Sequence, residues 1–187
     1  MSLPLYIVNA FTNTCFGGNP AAVVPLPEWL PDKVLQGMAS QHNLSETAFV
    51  VPREEGLFEL RWFTPGAEVE LCGHATLASA HVLSEHLGFQ GDEVTFSTRF
   101  SGELRAHYYD GAIELDFPSL NPQPYQPEPA LIAALGVPII AAAIPQVHPW
   151  KALYEVESEA VLRQVVPDFP AIAAAVDHAV ILTARGE

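Results

Sequence analysis

Two short stretches of this sequence hold side chains able to move protons. The first is Asn43-Leu44-Ser45-Glu46-Thr47, where a carboxylate stands between the end of a helical pattern and the apolar run Ala48-Phe49-Val50-Val51. Partial loss of water raises a carboxyl pKa from about 4.3 toward neutrality. A glutamate poised there can take a proton from one carbon and return it to another, a role worth roughly 10²–10⁴ in rate. Taken alone, Glu46 reads more simply as a solvated loop residue or half of an ion pair.

The second stretch is Glu70-Leu71-Cys72-Gly73-His74-Ala75-Thr76-Leu77. A strand pattern ends, a glycine permits close backbone approach, and a helix begins. The unpaired N–H groups of a helix start bind a carboxylate without Lys or Arg. His74 in the first turn faces the positive end of the helix dipole, which favours neutral imidazole, able to donate or accept a proton. The plainer alternative is a tight strand-to-helix turn with His74 as a capping residue. Cys72 beside it is either a thiolate base or a small buried hydrophobe, and free cysteines usually behave as the latter.

Other chemistries find no support. His81, Glu85 and His86 do not form an H-E-x-x-H pattern, so no metal is expected. Gly17-Gly18-Asn19 matches neither phosphate-binding glycine pattern, and no nucleophile elbow is present, so no cofactor is expected either. Two cysteines, Cys15 and Cys72, make neither a disulfide framework nor a zinc-ligand spacing.

Hydrophobic periodicity gives the elements that must position these groups. Strands are expected at Leu5–Val8, Ala21–Val24, Thr47–Val51, Leu57–Phe63, Val94–Phe100, Glu103–Tyr108 and Ala112–Phe117, with a loop over Phe16–Pro20. One helix is expected from Pro31 to about His42. A second, from His74 to Leu87 and closed by Gly88, is apolar over so much of its surface that it must be buried. Five prolines between Pro118 and Pro129 predict a stiff linker over 119–129, dividing a domain at 1–118 from a smaller part at 130–187. That part is expected to hold a helix at Ala130–Leu135, two short strands, helices near Glu157–Val165 and Ala171–Val176, and a strand at His178–Thr183. The fold class is α+β, strands wrapped around a buried helix.

The bulk numbers narrow the partners. The chain has 187 residues, 49% of them hydrophobic, which suits a folded core. With 8 Lys+Arg against 22 Asp+Glu, the formal charge is −14, which repels nucleic-acid backbones. No basic leader opens the chain and no apolar run is long enough to span a bilayer, so a cytoplasmic setting is expected, with no membrane partner.

Four segments together resemble the PhzF family, the phenazine-biosynthesis PhzF-like proteins. They are Phe16-Gly17-Gly18-Asn19-Pro20-Ala21-Ala22-Val23, Asn43 to Phe49, Phe63-Thr64-Pro65, and Glu68-Val69 with Leu71-Cys72-Gly73-His74-Ala75-Thr76-Leu77-Ala78, in matching order and spacing over about the first 120 residues. The resemblance implies a diaminopimelate-epimerase-like fold, in which two similar α+β domains each wrap a sheet around a central helix and the site lies between them. It implies a cofactor-independent, metal-free isomerase acting on a small carboxylated metabolite. The best-understood member uses a glutamate to isomerise a dihydro-hydroxyanthranilate on the way to phenazines. By motif that glutamate falls on Glu46, and the helix start falls on Gly73 and His74. Asn19, in the loop bordering the cleft, and Ser45, beside Glu46, join Gly73 and His74 as expected substrate-binding residues. The family also suggests a homodimer.

Two departures leave alternatives open. Cys72 stands where related amino-acid epimerases carry a catalytic cysteine, although no second cysteine follows as its partner. PhzF-like proteins also continue with an acidic segment opening the second domain's central helix, and nothing after Thr183 matches it. The chain therefore reads as C-terminally truncated, one complete domain plus an incomplete second copy. Three functions follow: a proton-transfer isomerase using Glu46 and His74, a catalytically silent relative acting by binding, or a racemase using Cys72.

Overall fold

A computed structural model describes residues 2–54, 56–146 and 151–186 of the chain. Cα packing divides it into two compact units, Met1–Phe117 and Pro118–Glu187.

The first unit is built on one mixed sheet of eight strands: β1 (Tyr6–Ala10), β2 (Asn19–Pro25), β3 (Glu46–Pro52), β4 (Leu57–Phe63), β5 (Glu68–Val69), β6 (Glu93–Thr98), β7 (Glu103–Tyr109) and β8 (Ala112–Asp116). The strand order is β1-β2-β3-β4-β6-β7-β8, with β5 paired to β4. Helix α1 (Asp32–His42) links β2 to β3, and α2 (Gly73–His86) precedes β6. Helix α2 packs on β1, β2, β3 and β8. Because β1 and β8 stand at the two ends of the strand order yet both touch one helix, the sheet curls into a half-barrel around α2.

Side-chain alternation then decides what each face carries. On β3, Ala48 and Val50 join the cluster on the α2 side, with Val23, Trp62, Phe96 and the helix residues Ala75, Ala78 and Leu83. Phe49 and Val51 point the other way, to Leu35 and Ala39 of α1. Being covered on both faces, β3 reads as an unbroken apolar run. The small residues of α2 let it sit deep in the curl. Its buried hydroxyls are satisfied within the helix: Thr76 Oγ1 donates to the Cys72 carbonyl at 2.6 Å and Ser79 Oγ to the Ala75 carbonyl at 2.7 Å. Gly88, at φ +73°, turns the chain after α2, and the Leu87 and Phe89 amides close on the carbonyls of Val82 and Leu83.

The second unit holds a smaller sheet, β9 (Pro122–Pro124), β10 (Ala141–Pro145), β11 (Lys151–Val156) and β12 (Ala179–Ala184), in the order β12-β11-β10-β9. Its helices are α3 (Pro129–Leu135), α4 (Glu159–Arg163) and α5 (Phe169–Ala175). Leu131, Leu135, Ala152 and Tyr154 form its buried centre. No helix of the described residues is long and apolar enough to cross a membrane.

Three local expectations change. Asn19 and Pro20, expected in a loop, begin β2, because Asn19 pairs with Ala10 of β1. Part of the proline-rich stretch expected as a spacer is strand β9. It pairs with β10 at the edge of the sheet, where prolines forgo no inner ladder bond. The helix expected over Glu157–Val165 shortens to Glu159–Arg163, capped by the Ser158 hydroxyl accepting from the Val161 amide.

Candidate active site

Strand parity brings the two candidate stretches together. Glu46 is the first residue of β3 and shares the face of Ala48 and Val50, the face covered by α2. Its neighbour Thr47 faces the opposite side, where its hydroxyl lies 3.0 Å from His42 Nδ1 at the end of α1. Asn43 ends α1 in the left-handed region, at φ 53°, and its amide bonds the Ala39 carbonyl. That cap fixes how the chain turns into β3 and so where Glu46 starts.

Helix α2 meets the same spot with its first turn. Cys72 is the extended N-cap residue and contributes no side-chain cap; the first turn closes with the Thr76 amide on the Cys72 carbonyl. The leading amides of the helix therefore point outward as donors. A Cβ placed on Gly73 would meet only the Phe117 ring at 3.7 Å, an ordinary contact, so packing does not require glycine there.

Three side chains converge at this start. His74 Nε2 is 3.3 Å from Glu46 Oε2, with the two side chains 9% and 19% exposed. Nε2 nevertheless has no hydrogen-bond partner among the described residues. The two atoms are therefore in close contact without a directed hydrogen bond. On the other side of the ring, Cys72 Sγ lies 3.4 Å from His74 Nδ1. The imidazole thus bridges a thiol and a carboxylate. Burial pushes the His74 pKa below its ordinary value, and the Glu46 charge opposes that push without reversing it. The lowering expected from the helix dipole comes instead from desolvation.

Asn19 and Ser45 also meet. The Ser45 hydroxyl donates to Asn19 Oδ1 at 3.2 Å, and the parallel register pairs Ala21 with Glu46. Neighbouring strand starts therefore place all three residues at one edge. Glu46, Cys72 and His74 meet directly, while Asn19 and Ser45 pair with each other beside Glu46.

One feature of the site region is not readable from sequence pattern. In the β1–β2 loop Phe11 and Phe16 adopt φ 63° and 65° and are exposed, an uncommon conformation for bulky residues. Gly18, which leads into β2, is required by space. A Cβ on Gly18, at φ +72°, would stand 2.2 Å from the Ala10 carbonyl oxygen. The glycine pair marked the loop over Phe16–Pro20, but nothing in the sequence marked the positive φ of Phe11 and Phe16.

Comparison with known proteins adds to this geometry. Residues 8–186 match the family described as phenazine biosynthesis-like protein. The chain is 45% identical over 186 residues to an uncharacterized isomerase of Pseudomonas aeruginosa, covering 100% of this chain and 69% of that protein. It superposes on the crystal structure of a PhzF-family phenazine biosynthesis protein from Enterococcus faecalis with a TM-score of 0.88 and 40% identity, covering 100% of this chain and 70% of that one. A structure described as a predicted epimerase, also from Pseudomonas aeruginosa, shares the fold at a TM-score of 0.67 and 20% identity, with coverage of 97% and 70%.

Proposed function

The chain belongs to the phenazine biosynthesis-like PhzF family and has its α+β, diaminopimelate-epimerase-like fold, and on that premise we propose that it is an isomerase moving a proton between carbon atoms of a small carboxylated metabolite, without metal or organic cofactor. The observation that carries this reading is the 3.3 Å approach of Glu46 Oε2 to His74 Nε2 at the start of α2. Glu46 takes the proton from one carbon and returns it to another. Neutral His74 donates to, or accepts from, the developing charge. The outward amides of Gly73 and His74 hold the substrate carboxylate, which lets an acidic protein bind an anion. Asn19 and Ser45, already bonded to each other, border the substrate beside Glu46. The name isomerase borne by a 45%-identical relative supports the same class.

The test is solvent exchange. Carboxylated dienes and amino acids are incubated with the protein in D2O and deuterium incorporation is followed by NMR. Exchange that disappears in Glu46→Gln supports the reading. Absence of exchange across the panel, or exchange unchanged in Glu46→Gln, overturns it and favours a relative that acts by binding.

A second reading rests on the 3.4 Å contact of Cys72 Sγ with His74 Nδ1. In it the thiol, deprotonated by the imidazole, is the base of an amino-acid racemase. Exchange that survives thiol alkylation and Cys72→Ser removes this reading.

On the family resemblance, the second unit, 118–187, belongs to a second domain of the same kind, and the protein is a cytoplasmic homodimer. Ile7 on edge strand β1, 63% exposed, is available for self-association. Sedimentation of the chain tests this, and a monomer at all concentrations rejects it.

A further inference from the structure

Glu46, Cys72 and His74 each offer a ligand atom, a carboxylate oxygen, a sulfur and a ring nitrogen, and these lie within 4.8 Å of one another. The His74 side chain is only 9% exposed, and its buried Nε2 points into the cluster without a hydrogen-bond partner among the described residues. Buried polar atoms are nearly always satisfied, so this one is poised for a ligand. We propose that the cluster binds a thiophilic divalent cation, Zn²⁺ above all, and that the bound ion silences the proton-transfer site. The silencing rests on the isomerase reading above; the binding does not.

The donor set selects the ion. Sulfur, imidazole nitrogen and one carboxylate suit Zn²⁺, whereas Mg²⁺ and Ca²⁺ need six or more oxygens. The spacing suits it too. Two ligands about 2.0–2.1 Å from a tetrahedral zinc stand about 3.3 Å apart, and His74 Nε2 and Glu46 Oε2 are 3.3 Å apart. Cys72 Sγ now lies 3.4 Å from Nδ1 of the same ring, and ligation of the ion requires it to turn toward the Nε2 side. Charge closes as well: one thiolate and one carboxylate neutralise two positive charges. Three protein ligands leave a fourth position for water, on the side where Glu46 is 19% exposed. The formal charge of −14 draws cations toward the surface.

Binding involves no redox change. The Cys72 thiol gives its proton to solvent as the zinc–sulfur bond forms, so affinity rises with pH. Once held, Glu46 and His74 direct their lone pairs to the ion and neither can exchange a proton with substrate.

The experiment uses the full chain with Co²⁺ as a spectroscopic probe and Zn²⁺ as competitor. A thiolate-to-cobalt charge-transfer absorption at one ion per chain, displaced by Zn²⁺, is expected. It should be lost in Cys72→Ser and kept in Cys15→Ser, whose thiol is exposed. In Glu46→Gln the Zn²⁺ affinity measured by calorimetry should weaken at least about tenfold, the lower end of the loss seen even for outer-shell partners. No absorption with the unaltered chain, or absorption that follows Cys15 instead of Cys72, overturns the proposal. Should Cys72→Ser fail to fold, an unchanged Zn²⁺ affinity in Glu46→Gln overturns it equally. Metal binding without any deuterium exchange would sink the isomerase reading and leave the ion site standing. Exchange unaffected by stoichiometric Zn²⁺ would sink the silencing.

Discussion

Glu46 Oε2 stands 3.3 Å from His74 Nε2, yet the imidazole nitrogen makes no hydrogen bond to it. One residue opens β3 and the other lies in the first turn of α2, so the contact joins the curled sheet to the helix it encloses. Two groups able to exchange protons are close and partly dry, without the directed bond that would satisfy both.

Replacing Glu46 separates chemistry from packing. Glu46→Gln should lower the deuterium-exchange rate by about 10²–10⁴. The thermal midpoint should move little, since Glu46 lies outside the buried core. Exchange NMR and a melting curve on the same sample measure both.

The pH dependence of stability follows from His74. Burial holds its folded pKa below the ordinary value of 6.5, and burial does the same for His42. Above 6.5 both rings are neutral in the folded and unfolded chain, and their contribution is intact. As pH falls through 6.5 the unfolded chain takes up protons that the folded chain resists, so stability drops until the folded pKa is passed. Denaturant midpoints between pH 8 and pH 5, roughly the range bracketing that of a histidine, should decrease, and less steeply in His74→Gln. Glu46→Gln removes the charge that partly supports imidazolium, so its loss on the acid side should be larger.

Packing beneath the site can be tested without touching a polar group. Ala75 is 0% exposed and follows His74 directly. Ala75→Leu overfills the space between α2 and the sheet and should cost about 1–3 kcal/mol. It should also depress exchange, because the helix start must shift. Urea denaturation and the exchange assay together check it.

Ser45 and Asn19 test substrate contact. Their 3.2 Å hydrogen bond is exposed, so Ser45→Ala should cost no more than about 0.5–1.5 kcal/mol of stability. If the pair borders the substrate, KM should rise while kcat changes less.

A structural ion network that includes none of the site residues offers a control. Arg61 forms a two-pronged pair with Glu68 at 2.7 and 2.8 Å, reaches Asp32 at 2.9 Å and lies over the rings of Trp29 and Phe63. With its side chain 11% exposed, Arg61→Ala should destabilise by about 3 kcal/mol, the low end for a broken buried pair, since Arg99 still faces Glu68 at 3.0 Å. Zn²⁺ affinity in this variant should stay unchanged, as read by calorimetry.

Much of this was legible in the amino-acid order. Alternation and unbroken apolar runs marked β3 and β4, and the small-residue composition of Gly73–His86 marked a buried helix, because these patterns are local consequences of burial. Glu46, Cys72, Gly73 and His74 were visible at element boundaries, whereas Asn19 and Ser45 were named only through the family resemblance. The start of β2 at Asn19 and the strand at Pro122–Pro124 were not, because glycine and proline signal local conformation while pairing with a distant strand decides the outcome.

The sequence by itself determined most of the elements, the acidic balance and the residues able to move protons, all properties of short range. Only the tertiary structure decided that Glu46 and His74 stand 3.3 Å apart and that Cys72 lies against the far nitrogen of the same ring. Twenty-eight positions separate Glu46 from His74 along the chain. What closes that distance is the parity of β3 and the curl that brings both β1 and β8 against α2, a non-local pairing that no local pattern encodes.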